Sequence, residues 1–550
     1  MNLRDMFLDY CVTAPTAIAV RGASRDPGAA LTRADLLGSA RGAARRLLEL
    51  GVGRGDSVLI SLPNKPSFTT WFWAVQLIGA VAVPVPPVGS GRRRTAQLEY
   101  FKKVAWLANP RAVVVAADCV LEPGEMRGLK CVKEDDHPPA EEGSLPAGPS
   151  SPRDIALIQF SSGSTGHPKG CVLTHEAVCA NARTWVRTFD YRAHESTFNW
   201  MPLFHDFGLM VGVIAPVAGG LGSVLLRTES FTADPAAWIR GMSGAGPIHS
   251  AGPGAALALV RHRIANPSAV RAFDLRDVRS LIRAAEPIFP DVVHDFMRAM
   301  EPQGLRANAF YCAYGMSETT VFASARRGMV LDAVRDIHWS IGSHVTPAKD
   351  GEPAIRHVNL GRAAVPGSSF RVVDDRGSPL GERHLGHLQL RSMCLLEGYI
   401  ESPGAVRTPL QDGWLSTGDV GYLVDGEFHF MGRSKELIVV AGRKIAPADL
   451  EHAVSRRLLI VQSRVAAFGH VQEATEAIAI VIESRDTAVD RLIDDARAAC
   501  FEQCGIAPWK VLVMPIGTIP KTTSGKIQRD ALRRSLAELL APVPMRAAGT

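Results

Sequence analysis

The stretch Gln159–Gly170, QFSSGSTGHPKG, constrains the fold more than any other segment. It holds seven Ser, Thr or Gly residues and one lysine between two short apolar runs, IALIQF and CVLT. Both runs have the length and composition of strands. A loop of small polar residues can turn several backbone N–H groups inward, with hydroxyls as further donors and Lys169 as the charge. Its natural ligand is an oxyanion such as phosphate. A solvated Gly/Ser turn is the alternative reading. Two familiar phosphate loops are excluded. A G-x-x-x-x-G-K-[ST] loop needs Gly-Lys, then Ser or Thr, then a helix, whereas Lys169 follows Pro168 and precedes Gly170. A dinucleotide-binding G-x-G-x-x-G turn also joins a strand to a helix. A strand–loop–strand phosphate site belongs to a different fold.

The rest of the chain supplies that fold. Its 550 residues, 46% hydrophobic, suffice for about three or four domain-sized units. Residues 1–150 alternate helical and strand patterns: LTRADLLGSARGAARRLLELG reads as an amphipathic helix, SVLISLP and RAVVVAA as strands. The apolar stretch Trp71–Val88 is interrupted by Gln76, Gly79 and prolines 84, 86 and 87. It reads as a buried helix, a strand and an extended exit, and no membrane span is expected. The Pro/Gly/Ser-rich stretch His137–Arg153 reads as a surface connection. Beyond it the alternation resumes, with GSVLLR as strand and DPAAWIRGMSG and DVVHDFMRAM as helices. Residues from about 360 to 432 turn β-rich. Past residues 433–435 the pattern becomes a compact α+β segment ending in a basic helix, KIQRDALRRSLAELL. The fold class expected is therefore α/β. A large N-terminal domain, residues 1–432, holds layered α/β subdomains and the β-rich subdomain. A small C-terminal domain, residues 436–550, follows, with a disordered tail from about 541.

Composition narrows the function classes. A net charge of +6 is mild for this length, and the densest basic run, GRRRT at Gly91–Thr95, reads as a solvated loop. Nucleic acid is not expected as a partner. Nine scattered cysteines without a C-x-x-C pair suggest buried, reduced thiols in a cytoplasmic protein. The N-terminus MNLRDMFLDYC has no apolar core of signal length.

Four further stretches bear charge or an aromatic ring in tight settings. YCAYGMSETT (Tyr311–Thr320) places a tyrosine, a glycine and a glutamate together. LSTGDVGYL (Leu415–Leu423) presents Asp419 in a turn after Gly418. GRSKELIVVAGRKI (Gly432–Ile445) combines Arg433 and Lys435 with two apolar strands, and IPKTTSGKIQR (Ile519–Arg529) sets Lys526 in a Gly/Ser turn. Singly, each fits a core aromatic, a turn former or a solvated charge. Together, in this order after the first loop, they resemble the adenylate-forming superfamily of acyl-CoA synthetases, adenylation domains, luciferases and fatty acyl-AMP ligases.

The resemblance runs from roughly Leu31 to Leu540 and implies an enzyme that uses ATP and Mg²⁺. A carboxylate attacks the α-phosphate of ATP, giving acyl-adenylate and pyrophosphate. Carried onto this chain, it implies that Ser161, Ser162, Gly163, Ser164, Thr165, Gly166 and Lys169 grip the β- and γ-phosphates. Tyr314 stacks on adenine, with Ala285, Glu286, Pro287 and Gly315 around it. Glu318 ligates Mg²⁺, Thr319 sits beside the α-phosphate, and Asp419 and Arg433 face the ribose. Lys526 and His205 are further catalytic candidates, with Lys526 the mobile lysine that bridges carboxylate and α-phosphate. Lys435 is the hinge about which the small domain turns between two half-reactions.

Within the superfamily, WMPLFHDFGLMVG (Trp200–Gly212), AVAVPVPP (Ala80–Pro87) and AAEPI (Ala284–Ile288) resemble the fatty acyl-AMP ligase branch. Glu318 and Gly361 are 43 residues apart, and Arg335–Asn359 is the candidate for that branch's extra, CoA-disfavouring segment. His167 and the HVNLGRA stretch depart from the branch pattern. Asp206 lies close to where amino-acid-activating relatives keep an aspartate for the substrate amine. No carrier-protein signature follows Leu540, so the implied acceptor is a separate acyl carrier protein. An acyl-CoA synthetase, an amino-acid adenylating enzyme and an inactive adenylate-binding scaffold are the alternatives.

Overall fold

The computed structural model describes residues 1–23, 30–89, 94–119, 121, 125, 128–138, 151–161, 168–264, 273–335, 340–352, 354–440, 443–472, 475–522 and 525–540. Two eight-stranded sheets carry most of it. The first has the spatial order Ser324–Arg327, Phe310–Tyr314, Val278–Arg283, Ile248–Gly252, Ser196–Asn199, Gly222–Leu225, Ile18–Gly22, Leu31–Thr32. Its six central strands are parallel, and both edge strands are antiparallel to their neighbours. The second has the order Ala405–Arg407, Gly398–Ser402, Lys169–Thr174, Ile155–Ser161, Val81–Pro84, Ser57–Ser61, Ala112–Val115, Lys130–Lys133. IALIQF and CVLT are thus strands, as expected, and they pair antiparallel with Ser161 opposite Lys169.

The helix Pro66–Leu77 shows why its sequence is apolar all round. It touches strands of both sheets, and Trp71, Phe72 and Trp73 are fully buried. No helix among the described residues is long and apolar enough to cross a membrane. The helix Arg33–Glu49 begins at a capping box in which Thr32 and Asp35 satisfy each other's backbone N–H. All nine cysteines are free, and all but the half-buried Cys131 are buried.

The β-rich region is an antiparallel sheet of Ser369–Val373, Gly386–Arg391 and Trp414–Val424, with Leu410–Gln411 and Glu427–Arg433 both paired to Trp414–Val424. One continuous core runs from Leu3 to Phe428. Beyond it, the hairpin Ile438–Val440 and Arg443–Ile445 leads into helix Pro447–Leu458, a three-stranded sheet and helix Val489–Cys504. One face of that sheet builds a core with Ile438, Leu450 and Cys500. Its other face packs on Leu532, Leu536 and Leu540. The basic helix is shorter than its pattern suggested, covering only Arg529–Ser535. Its first residues are tied into a turn, where Thr522 N donates to Lys526 O and Gln528 N to Pro520 O.

The segment proposed from sequence as an insertion, Arg335–Asn359, starts at the last residue of the strand Leu331–Arg335 and contains its antiparallel partner, Ala354–Val358, so the hairpin begins four residues earlier than the sequence suggested. Residues 336–339 and 353 lie outside the described ones. Val334 and Val345 are buried in a small core with Leu385, Val420, Tyr422, Leu437 and Ala446. The hairpin therefore joins the β-rich sheet to the first residues of the C-terminal region.

Candidate active site

The first site element is the loop between Ile155–Ser161 and Lys169–Thr174. Ser162, Gly163, Ser164, Thr165 and Gly166 lie outside the described residues, as does the Ser161 side chain, and so do residues 91–93 of the basic run and the tail 541–550. Lys169 opens the return strand. Its Nζ lies 5.3 Å from the centroid of the Tyr399 ring, an attraction between cation and π-face. Tyr399 Oη donates to Glu318 Oε1 at 2.7 Å. One aromatic residue thus connects the loop lysine to the candidate metal carboxylate. Tyr399 is on the strand Gly398–Ser402, which pairs with the lysine's own strand.

Glu318 lies in a 3-10 turn, Ser317–Thr319, that follows the central strand Phe310–Tyr314. The approach to this turn admits only glycine at position 315, where a Cβ would come within 1.8 Å of the Val321 carbonyl oxygen. Thr320, immediately after the turn, is buried at φ 69° and ψ −59°, a conformation that costs a β-branched residue free energy. The surroundings hold it there. Asn181 Nδ2 donates to the carbonyls of Thr319 (3.0 Å) and Phe322 (2.7 Å), and Thr320 Oγ1 donates to Cys394 O.

His205 and Asp206 begin a short helix, Asp206–Leu209, that continues as a π-helix over Met210–Ile214. Asp206 Oδ1 is 2.6 Å from His205 Nδ1 and accepts from Phe207 N at 2.6 Å. Its Oδ2 accepts from Ser317 Oγ at 2.5 Å. Burial alone would raise the Asp206 carboxyl, but His205, the Ser317 hydroxyl and the Lys526 charge outweigh it and hold the group at about 2. Both carboxylate oxygens are engaged by the protein. Asp206 therefore orients His205 and Ser317 and is not set out as a free partner for a substrate amine.

The nucleoside candidates meet on the β-rich sheet. Tyr314 Oη donates to Asp419 Oδ2 at 2.5 Å, and the ring lies near Phe428 and Phe370. Asp419 is not in a turn, as its sequence suggested. It lies within the strand Trp414–Val424, directly opposite Arg433 in the ladder. Gly418, at φ 76°, marks a bulge that gives this strand extra residues against Gly386–Arg391, which is what gave the sequence its turn-like look. Arg433 Nε is 3.2 Å from Asp419 Oδ1, yet this buried oxygen has no hydrogen bond of acceptable geometry. Burial raises the Asp419 carboxyl, against the opposing pull of Arg433, Tyr314 and Lys526. An incoming hydroxyl would satisfy the orphaned oxygen.

Ala285, Glu286 and Pro287 leave the neighbouring strand, Val278–Arg283, at the same end of the sheet as Tyr314. Arg283, which the sequence did not single out, lies beneath them. Its buried guanidinium donates to the carbonyls of Ala284 (2.7 Å), Glu286 (3.2 Å) and Pro287 (2.7 Å). Glu286 accepts from Ala255 N at 3.1 Å, and Ala285 is held at φ 73°. Each buried carbonyl left unpaired would cost about 1–3 kcal/mol, so the arginine sets the loop's shape.

Lys526 is exposed and comes from the C-terminal region, in a turn where its N–H donates to Thr522 Oγ1 at 3.0 Å. Its charge reaches both Asp206 and Asp419. Lys526 is thus one of the charges that act on these two acids, the smallest of the causes at each. Lys435 stays outside this cluster, exposed in the turn after Arg433, where Ser434 N donates to Gly418 O.

Comparison with known proteins identifies the family. Residues 8–400 match the family model for AMP-binding enzymes. The chain belongs to the AMP-binding enzyme family. A Mycobacterium tuberculosis protein provisionally named a ligase, Rv1013, is 33% identical over 390 residues, covering 68% of this chain and 71% of that one. The medium-chain-fatty-acid–[acyl-carrier-protein] ligase JamA of Moorena producens is 26% identical over 528 residues, covering 89% and 87%. A solved chain from work on fatty acyl-adenylate ligases of E. coli and L. pneumophila superposes with a TM-score of 0.87 at 27% identity, covering 98% of each chain. The protein is an adenylate-forming ligase that activates acids, similar to fatty acyl-AMP ligases, and enzymes of this family use ATP.

Among the described residues no three His, Cys, Asp or Glu side chains cluster to hold a metal ion. Mg²⁺ suits such a site, since one carboxylate plus phosphate oxygens commonly holds it. Glu318 fits that part: its Oε1 is held by Tyr399, and no protein donor takes Oε2 among the described residues.

Proposed function

We propose that this enzyme converts a fatty acid and ATP to acyl-AMP and pyrophosphate, then passes the acyl group to the phosphopantetheine thiol of a separate acyl carrier protein. What supports the first step is that the charge of Lys526 acts to lower the carboxyls of both Asp206 and Asp419. A cation brought from the small region to a site that also holds the ribose partners can bind the carboxylate and the α-phosphate together. It neutralises charge where the pentacoordinate phosphorus forms.

The other roles follow from position. Ser161, Ser162, Gly163, Ser164, Thr165, Gly166 and Lys169 grip the outgoing phosphates. Tyr314 lies against adenine and donates to Asp419, whose free oxygen accepts from a ribose hydroxyl, with Arg433 beside it. Gly315 lets the Val321 backbone pack close and so sets the turn that follows Tyr314, and Arg283 shapes the Ala285–Pro287 wall. Thr319 contacts the α-phosphate, and His205, oriented by Asp206, faces the acid. Glu318 would hold Mg²⁺, which offsets phosphate charge. Residues 1–432 and 436–550 act as two domains, with 433–435 between them and Lys435 as the pivot.

Support for the carrier as acceptor is twofold. JamA is named for transfer to an acyl carrier protein. The hairpin Leu331–Val358 also packs across to Leu437 and Ala446, where it biases the small domain's orientation. The test is acid-dependent ATP–pyrophosphate exchange over a panel of acids, followed by product analysis with CoA and with holo-carrier protein. Exchange with fatty acids and acyl-carrier product are expected. Efficient acyl-CoA synthesis would overturn the carrier assignment, and absent exchange would overturn the enzyme reading.

A further inference from the structure

The candidate active site gathers beyond the C-terminal ends of the parallel strands: Ala285 follows Arg283, and Gly315 follows Tyr314. At the opposite ends of the same strands lies a second cavity, of about 160 Å³. Its lining includes Arg192, Arg279, Arg306, Arg327, Asp190 and Glu195. Topology separates the two. Glu195 precedes the strand Ser196–Asn199, Arg279 is the second residue of Val278–Arg283, and Arg306 precedes Phe310–Tyr314. Arg327 ends the antiparallel strand Ser324–Arg327. Strands of four to six residues put about 13–20 Å between the two ends.

The charges do not cancel. Asp190 is engaged by Arg192, with distances of 3.3 and 2.7 Å to its two oxygens. Glu195 is already divided among His249 Nε2 (2.7 Å), Arg192 N (3.0 Å) and a long contact with Arg279 (3.5 Å). Arg306 reaches only a carbonyl, Val278 O at 3.5 Å. Arg327 donates through Nε to Asn308 O at 2.8 Å and rests over the Tyr311 ring, which holds its fork in place. Neither Arg306 nor Arg327 has a carboxylate within ion-pair distance among the described residues. Four arginines and two carboxylates leave a local charge of +2 around a space that holds one tetrahedral anion.

We propose that this cavity is a second binding site, separate from the adenylation site, for a phosphate dianion, either the free ion or the phosphate end of a small monoester. Two uncompensated guanidiniums match its charge, and their paired N–H groups match its oxygens. The proposal does not depend on which acceptor takes the acyl group.

The test is calorimetric titration of the full chain with inorganic phosphate and with glycerol 2-phosphate, at ionic strength matched with chloride and with acetate as monoanion control. Wild type, Arg306→Gln/Arg327→Gln and Lys169→Ala are compared. Saturable phosphate binding is expected in wild type and in Lys169→Ala, weakened at least about tenfold in the double variant, whose ATP–pyrophosphate exchange stays unchanged. Binding of the monoester as well supports the site and assigns it to a larger phosphorylated molecule. Binding of phosphate alone supports it as an ion site. Equal binding by the double variant and wild type, loss of binding in Lys169→Ala, or no phosphate effect beyond the chloride control would each overturn the proposal.

Discussion

Asp206 and Lys526 show how much single charges do here. Asp206 is held at about 2, below the value near 4 of an unfolded aspartate. Its depressed carboxyl stabilises the fold above about pH 4, and that contribution is lost as pH falls from about 4 towards 2. The difference corresponds to about 2 kcal/mol. Asp206→Asn should therefore lower stability to urea by about that amount at pH 7 and by progressively less below pH 4. A constant loss across this range would remove the electrostatic account. Lys526→Ala should slow adenylate formation by about 10²–10³-fold, the usual cost of one focused donor, while acyl transfer from supplied acyl-adenylate survives. Rapid-quench assays of each half-reaction read this directly, and equal damage to both contradicts the role. Lys169, Glu318, Asp419 and Lys526 became candidates only through the order of their motifs, since each alone also fits a turn former or a solvated charge. Tyr399 was not among them. It meets Glu318 across 81 residues, through a strand pairing that local patterns do not encode. Arg283 was hidden because it ends an apolar strand whose burial shows only in three dimensions.

At the level of elements, two contacts bear on how the C-terminal region is held. The helix Pro290–Met300 meets the helix Pro447–Leu458: Phe289 stacks on His452 at 4.0 Å, and Asp291 contacts His452 (2.9 Å) and Arg456 (2.7 Å). Partly exposed ion pairs are worth at most about 1 kcal/mol, or about fivefold in a population. Asp291→Ala should thus slow adenylation up to about fivefold and leave transfer from supplied acyl-adenylate intact. Equal slowing of both steps would mean the contact is merely structural. The hairpin acts through apolar packing instead. Replacing residues 340–352 with a short glycine turn removes Val345 from its core, so acyl-CoA formation should rise about tenfold with adenylation kept, as a bias of about 1.4 kcal/mol is released. Unchanged product ratios by mass spectrometry would sink the idea. The spacing of flanking motifs pointed to Arg335–Asn359 and so missed most of the hairpin's first strand, and its contacts with Leu437 and Ala446 were hidden, since period-2 patterns give a strand's faces and not its neighbours.

Over the whole molecule, alternating helix and strand patterns gave the α/β class, but not the strand orders, which interleave segments far apart in the chain. The core from Leu3 to Phe428 is closed without the C-terminal residues. A fragment of residues 1–433, which keeps Arg433 opposite Asp419, should therefore fold and bind AMP by calorimetry while showing no ATP–pyrophosphate exchange, because Lys526 is missing. A fragment that cannot bind AMP would show that the nucleoside pocket needs both parts. The ladder between Asp419 and Arg433 carries one more implication. Arg433 ends its strand, and the next residue, Ser434, is tied back to Gly418. The proposed ribose partner Arg433 and the proposed pivot at Lys435 are thus two residues apart, with Ser434 between them hydrogen-bonded to Gly418. Swinging the small domain strains the anchor on the nucleoside, and a seated nucleoside stiffens the pivot. If Lys435 is the pivot, AMP release and the return swing are coupled like the parts of an escapement, and added AMP should stall the reset between turnovers in a single-turnover assay.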